Sequence, residues 1–306
     1  MSLPRPRIPH QALRLVAALV TVVLLLLLAR VGASEQARPT YHNYVAMGDS
    51  YTAAPYVPLT DVALGCHRSR NNYPSLLAAA LHIDDLQDRS CSGAQTKDLP
   101  GSQVTSLGVA VPPQFEALSK DTDLVTLGIG ANNQRLYAKI ATVCRLSQRI
   151  CALYDERDTL GRIVDELRTP LVSTLEQVKE LAPNARVLLV GYPKLLPARG
   201  DCARLPRMRP QDRATFRQIN LRLRHEMQAA AEEAEVEFVD FYAASHGHHV
   251  CARDPWVQGR IGSRRLGAAL HPLPAGQAAL ARLIEQTLRR PDPAAVTSPL
   301  SGYARG

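Results

Sequence analysis

Tyr44-Val45-Ala46-Met47-Gly48-Asp49-Ser50-Tyr51-Thr52 is the stretch on which the reading of the fold turns. Its first four residues form a short apolar run, and Gly48 ends it. Three more runs of the same kind follow: Leu124 to Leu127 before Gly128, Val187 to Val190 before Gly191, and Val236 to Val239 before Asp240. A fifth, weaker one spans Leu86 to Cys91. Strands that are continuously apolar are buried on both faces, as in parallel sheets. Ser50 therefore follows the first strand, at the carboxyl edge where open α/β sheets bind their ligands.

The segments between the runs have helical spacing. Tyr73 to Leu81 puts Leu76, Leu77, Ala80 and Leu81 on one face. Asp158 to Leu181 keeps the period despite Pro170, Gln211 to Glu235 repeats Ile219, Leu223, Met227 and Ala230, and Pro274 to Leu288 repeats Leu280, Leu283, Ile284 and Leu288. Strands alternating with helices predict an α/β three-layer sandwich around a parallel sheet.

Four spots carry candidate chemistry. Ser50 sits where a nucleophile is useful, but a serine hydroxyl needs a base, and a serine after a strand also commonly caps a helix. Gly93, in Ser90-Cys91-Ser92-Gly93-Ala94, has no Cβ to keep its N–H from a reacting oxygen; an ordinary turn glycine looks the same. Asn132, in Gly128-Ile129-Gly130-Ala131-Asn132-Asn133, can aim its amide at a developing oxyanion, or bond its own backbone. His271 precedes the last helical segment, and imidazole titrates near neutral pH, as a general base should. The cluster His246, His248 and His249 lacks the carboxylate spacing of a metal site. The elbow Gly-x-Ser-x-Gly is absent, which argues against the α/β-hydrolase fold.

The amino terminus reads as an export signal. Arg5, Arg7 and Arg14 precede the apolar block Leu15 to Ala29, shorter than the roughly 20 residues of a spanning helix, and Val31-Gly32-Ala33 offers small residues for cleavage. Residues 1–33 are thus an expected signal peptide, an uncleaved anchor being the alternative, and either places the rest outside the cytoplasm. From Arg289 the chain turns rich in Pro, Ala, Ser and Gly, so residues 291–306 are expected to be a flexible tail. The formal net charge is +8 over 306 residues. Without the four signal arginines, 32 basic and 28 acidic residues remain. No basic run is interleaved with aromatics, so nothing points to nucleic acid. Six cysteines (66, 91, 144, 151, 202 and 251) in an exported chain suggest three disulfides, with fifteen pairings open.

The order Ser50, Gly93, Asn132, His271 resembles the SGNH hydrolases, also called GDSL hydrolases, whose sequence blocks carry those four residue types. Gly48-Asp49-Ser50, Gly93, Gly130-Ala131-Asn132-Asn133 and His271 stand for the blocks. Asn72-Tyr73-Pro74 near Cys66, Cys91-Ser92-Gly93-Ala94, and Gly247 shortly before Cys251 look like the secreted bacterial esterases and lipases with three disulfides. The resemblance implies a flavodoxin-like five-stranded parallel sheet in a hydrolase domain over 34–290, no metal or other cofactor, and the bridges Cys66–Cys91, Cys144–Cys151 and Cys202–Cys251. It implies a serine esterase or lipase acting on a small-molecule or lipid ester, with transient contact to a membrane or cell wall. An acetyl esterase acting on carbohydrate, or a non-catalytic binder of lipid or glycan, is the alternative. Two departures stand out. Ala131 and Asn133 replace the usual Gly and Asp, and a methyl at 131 could narrow the pocket. Ala268 occupies the place, three residues before the histidine, where the family commonly has Asp. The backbone carbonyl of Ala268 is then the expected orienter of His271, as in some relatives, with Asp254 as the fallback.

Overall fold

Five parallel strands form the sheet of the computed structural model, which describes residues 19–21, 40–140 and 157–292. The first, β1 (Asn43–Gly48), is followed by the short helix α1 (Ser50–Ala53), a two-strand hairpin of β2 (Thr60–Asp61) and β3 (Arg68–Ser69), and α2 (Tyr73–Leu81). Next come β4 (Asp85–Asp88), a second hairpin of β5 (Gln103–Val104) and β6 (Ala110–Val111), and β7 (Leu124–Gly128). The rest comprises α3 (Thr159–Asp165), α4 (Arg168–Leu181), β8 (Arg186–Val190), α5 (Pro210–Glu233), β9 (Glu237–Val239), α6 (Phe241–Ala244) and α7 (Pro274–Leu288). The sheet order is β4-β1-β7-β8-β9, the flavodoxin-like winding.

Alternating side chains explain the three layers. Val45 and Met47 of β1, Val125 and Leu127 of β7, and Val187 and Leu189 of β8 join one apolar cluster, with Val164 of α3, Leu175 of α4 and Leu223 of α5. Tyr44, Ala46, Leu124, Leu188 and Val190 join a second cluster on the other face, with Leu77 of α2 and Ile284 of α7. The central strands are thus mostly apolar because they have a core on both sides, and the buried Thr126 of β7 is satisfied by the Tyr44 hydroxyl (2.6 Å).

The long pattern at 158–181 resolves into two helices, with Glu166 and Leu167 between them. Pro170 then falls in the first turn of α4, where its missing N–H leaves no helical bond unmade. The edge strand β4 is shorter than the apolar run suggested, but the chain keeps pairing with β1: Arg89 N–H donates to the Ala46 carbonyl (2.8 Å) and Cys91 N–H to that of Gly48 (2.9 Å).

The disulfides Cys66–Cys91 and Cys202–Cys251 are formed. The expected Cys144–Cys151 bridge lies outside the described residues. So do residues 1–33 apart from the exposed helical fragment 19–21, and the tail beyond 292.

Candidate active site

The site grows from the abrupt end of β1. Gly48 has φ +147, and a Cβ there would fall 2.4 Å from the Gly128 carbonyl oxygen of the next strand, so only glycine fits. Gln114 clamps this peptide from both sides, donating to the Gly48 carbonyl (3.0 Å) and accepting its N–H (2.8 Å). The capping role considered for Ser50 falls to its neighbour: the Asp49 carboxylate accepts the Tyr51 N–H (2.8 Å), and Ser50 is the first residue of α1. Asp49 is fully buried. Its other oxygen accepts the Tyr192 hydroxyl at 2.5 Å, and that hydroxyl also accepts the Ala131 N–H (3.0 Å). Burial pushes the carboxyl up to about 7, against the opposing pull of these hydrogen bonds.

His271 reaches Ser50 across 221 residues of sequence. Its Nε2 lies 2.7 Å from Ser50 Oγ, and its Nδ1 lies 2.8 Å from a backbone carbonyl oxygen. A carbonyl can only accept, so Nδ1 carries the proton and Nε2 presents its lone pair to the hydroxyl. Burial holds the imidazole below its usual pKa, partly offset by the carbonyl contact. It is therefore neutral, and able to take a proton, at neutral pH.

That carbonyl corrects one expectation. It belongs to Ala269, whereas the Ala268 carbonyl accepts the backbone N–H of His271 itself (3.1 Å). Residues 268–271 thus close a turn whose third residue, Leu270, has φ +62. Positive φ at that position is the mark of a type II turn, in which the peptide between the two central residues is flipped. The flip brings the Ala269 oxygen round to the ring. The fallback Asp254 is engaged elsewhere: its backbone carbonyl faces His248 Nδ1 at 2.7 Å, and its carboxylate approaches the same nitrogen at 3.8 Å. His248 stacks on Trp256, with ring centres 3.8 Å apart.

Tyr51 is a functional candidate that sequence reasoning missed. Its ring stacks on His271, with centres 4.7 Å apart and planes at 29°, and its hydroxyl donates to the Leu270 carbonyl (2.7 Å). It therefore braces both the imidazole and the left-handed residue that aims the Ala269 oxygen. Tyr192 packs edge-on against it at 4.9 Å. A tyrosine beside the serine was visible, but nothing local linked it to a residue 219 positions away. Tyr51→Phe keeps the stack and removes one hydrogen bond worth about 1 kcal/mol. Steady-state kinetics on a short soluble ester should show kcat reduced by roughly three- to tenfold with KM unchanged.

Gly93 and Asn132 lie in the loops after β4 and β7, the two neighbours of β1. The Cys66–Cys91 bridge and the Cys91–Gly48 bond tie the Gly93 loop to the end of β1, and Gly93 itself is exposed at φ +86. Asn132 Nδ2 donates to the Ala94 carbonyl (3.2 Å), which joins the two loops. The amide carries two hydrogens, so one remains after that bond. The two departures from the family pattern find places. Asn133 clasps Thr96, donating to its hydroxyl (2.8 Å) and accepting its N–H (3.1 Å), and the Ala131 methyl is buried in the core.

Comparison with known proteins identifies the family. Residues 46–279 match the model of the GDSL-like Lipase/Acylhydrolase family. The chain is 33% identical to Lipase 2 of Streptomyces coelicolor over 94% of its own length and 98% of that protein. The crystal structure of phospholipase A1 from Streptomyces albidoflavus superimposes with a TM-score of 0.68 at 27% identity, covering 82% of this chain and all of that one. The extracellular lipase from Streptomyces rimosus gives 0.67 at 25% identity, covering 81% of this chain and all of that one. With most of its length matched, the chain belongs to the GDSL-like lipase/acylhydrolase family and is a hydrolase of carboxylic esters.

Proposed function

We propose that the protein is a secreted serine esterase or lipase that works through a Ser50–His271 dyad. The 2.7 Å contact between Ser50 Oγ and His271 Nε2 carries this reading. His271 takes the proton as Ser50 attacks the acyl carbonyl, then returns it to the departing alcohol. Water, activated by the same imidazole, releases the acid. The N–H groups of Ser50 and Gly93 and the free hydrogen of the Asn132 amide hold the oxyanion. The Ala269 carbonyl keeps the tautomer but adds no negative charge opposite the imidazolium, so the dyad is expected to be slower than one completed by a carboxylate.

Export is supported by the signal-like residues 1–33, with hydrolase domain 34–290 following, and by two disulfides, which persist in oxidising compartments. The relatives named lipase, phospholipase A1 and esterase support acyl esters of lipids as the substrate class. An acyl-length series of p-nitrophenyl esters, assayed on the purified full chain, tests it: hydrolysis of both short and long acyl esters is expected, and activity on acetyl esters alone would point to a deacetylase instead. In the same assay Asn132→Ala should lower kcat by roughly 100-fold, the usual cost of one oxyanion donor. Unchanged kcat would remove Asn132 from the mechanism.

A further inference from the structure

Lipid esters gather at surfaces, and the exposed apolar side chains of this protein are concentrated around the catalytic end of the sheet. Among the described residues of 41–292, seven of the nine large apolar side chains left exposed lie on three loops. The hairpin β2–β3 and its approach carry Leu59 (68% exposed), Val62 and Leu64; the hairpin β5–β6 carries Val104 (70%) and Leu107; the turn before His271 carries Ile261 (67%) and Leu266.

These loops are neighbours. All three leave from the carboxyl side of the sheet: the first between β1 and α2, the second between β4 and β7, the third between β9 and α7. A Cβ on Gly65 of the first would fall 3.1 Å from Leu107 Cγ of the second. The Ala268 N–H of the third donates to the Pro55 carbonyl of the first (3.0 Å). The Cys66–Cys91 disulfide ties the base of the first to the segment that leads into the second. Ser50 and His271 stand at the roots of the first and third.

Their charge is one-sided. Residues 54–71, 101–112 and 255–271 together contain five arginines (68, 70, 260, 264 and 265) against one carboxylate, Asp61. Arg70, Arg264 and Arg265 are exposed and make no ion pair among the described residues. Arg264, Arg265 and Leu266 sit together at the tip closed by the Ser263–Gly267 bridge.

We propose that this rim docks the enzyme on an anionic phospholipid surface, the apolar tips entering the boundary of the acyl chains while the arginines pair with headgroup phosphates. Exposed leucine, isoleucine and valine gain by leaving water, and guanidinium forks match phosphate geometry. The combination of apolar tips with unpaired arginines favours a charged lipid surface over a second copy of this chain, whose identical rim would set arginine against arginine. Docking so would present the mouth of the site to ester bonds in the surface, and the proposal rests on the hydrolytic reading above.

The test is flotation of the full chain, carrying Ser50→Ala so that the lipid is not consumed, with vesicles of phosphatidylglycerol or of phosphatidylcholine. Binding should favour phosphatidylglycerol by tenfold or more on the order-of-magnitude scale of a few basic residues, and should weaken as salt is raised. In that background Arg264→Ala/Arg265→Ala and, separately, Ile261→Ser/Leu266→Ser should each weaken binding roughly tenfold; Leu59→Ser/Leu107→Ser provides an independent pair on the other loops. With Ser50 restored, each pair should hydrolyse a short soluble ester at the unsubstituted rate, which shows that fold and site are intact. Equal binding to both lipids, or vesicle binding unaffected by all three pairs, overturns the proposal while leaving soluble-ester activity to stand. Vesicle binding by a protein that cleaves no ester would sink the hydrolytic reading instead. Concentration-dependent dimers that the Ile261→Ser/Leu266→Ser pair disrupts, without vesicle binding, would assign the rim to self-association and overturn the lipid assignment.

Discussion

Ser50→Ala should reduce turnover of a short acyl ester by at least roughly four orders of magnitude, to the residual rate that binding and oxyanion donors alone sustain. In the proposed mechanism the hydroxyl is the atom that bonds the acyl carbon, so no neighbouring group can take over its part. The substitution should leave the protein folded. Ser50 is nearly buried, and its side-chain contact is the one to His271, while its backbone continues α1 and the Asp49 cap is untouched. Loss of kcat with a melting temperature within a few degrees of the starting protein is therefore expected. A variant retaining a substantial part of the activity would mean that the nucleophile is elsewhere.

His271→Gln should cost roughly three to four orders of magnitude in kcat, since a general base near its optimum contributes most of the activation of serine. As the proposed dyad acts as one unit, the double variant Ser50→Ala/His271→Gln should be no slower than the worse of the two single variants, within a few-fold. The pH profile gives a further sign. Burial lowers the His271 pKa, so the basic form persists below the ordinary histidine value of about 6.5. The acid limb of kcat/KM should thus lie below 6.5, with activity lost as the imidazole is protonated. Asp49, raised to about 7, titrates nearby but bonds Tyr192 and the Tyr51 N–H, not the Ser50 hydroxyl. A limb that vanishes in Asp49→Asn would belong to that carboxyl; one that persists belongs to the imidazole.

Much of the framework was legible because its cause is local. The runs at 44–47, 124–127 and 187–190 have a core on both faces, and such burial favours apolar residues; the buried Thr126 is tolerated because its hydroxyl bonds those of Tyr44 and Tyr73. Helices 73–81 and 274–288 were readable to the residue, each with a proline in its first turn. The hairpins β2–β3 and β5–β6 were not foreseen; each strand is two residues long, too short for any alternation to register. Ser50 and His271 could be paired only through the order of four separate motifs, since 221 residues divide them. The Ala269 carbonyl was beyond reach for a different reason. It depends on Leu270 adopting a left-handed conformation that leucine rarely takes, and the anchor for that conformation, the Tyr51 hydroxyl, comes from the far end of the chain. A separation of 143 residues likewise hid the Tyr192–Asp49 contact beside Ser50.

The dyad itself is open to one direct measurement: the site and rate of modification by a fluorophosphonate, followed by mass spectrometry of the digested protein. A single adduct on the peptide containing Ser50 is expected, formed at a rate that falls by about 100-fold or more in His271→Gln. An adduct on any other residue, or a His271→Gln variant labelled as fast as the unsubstituted protein, would contradict it.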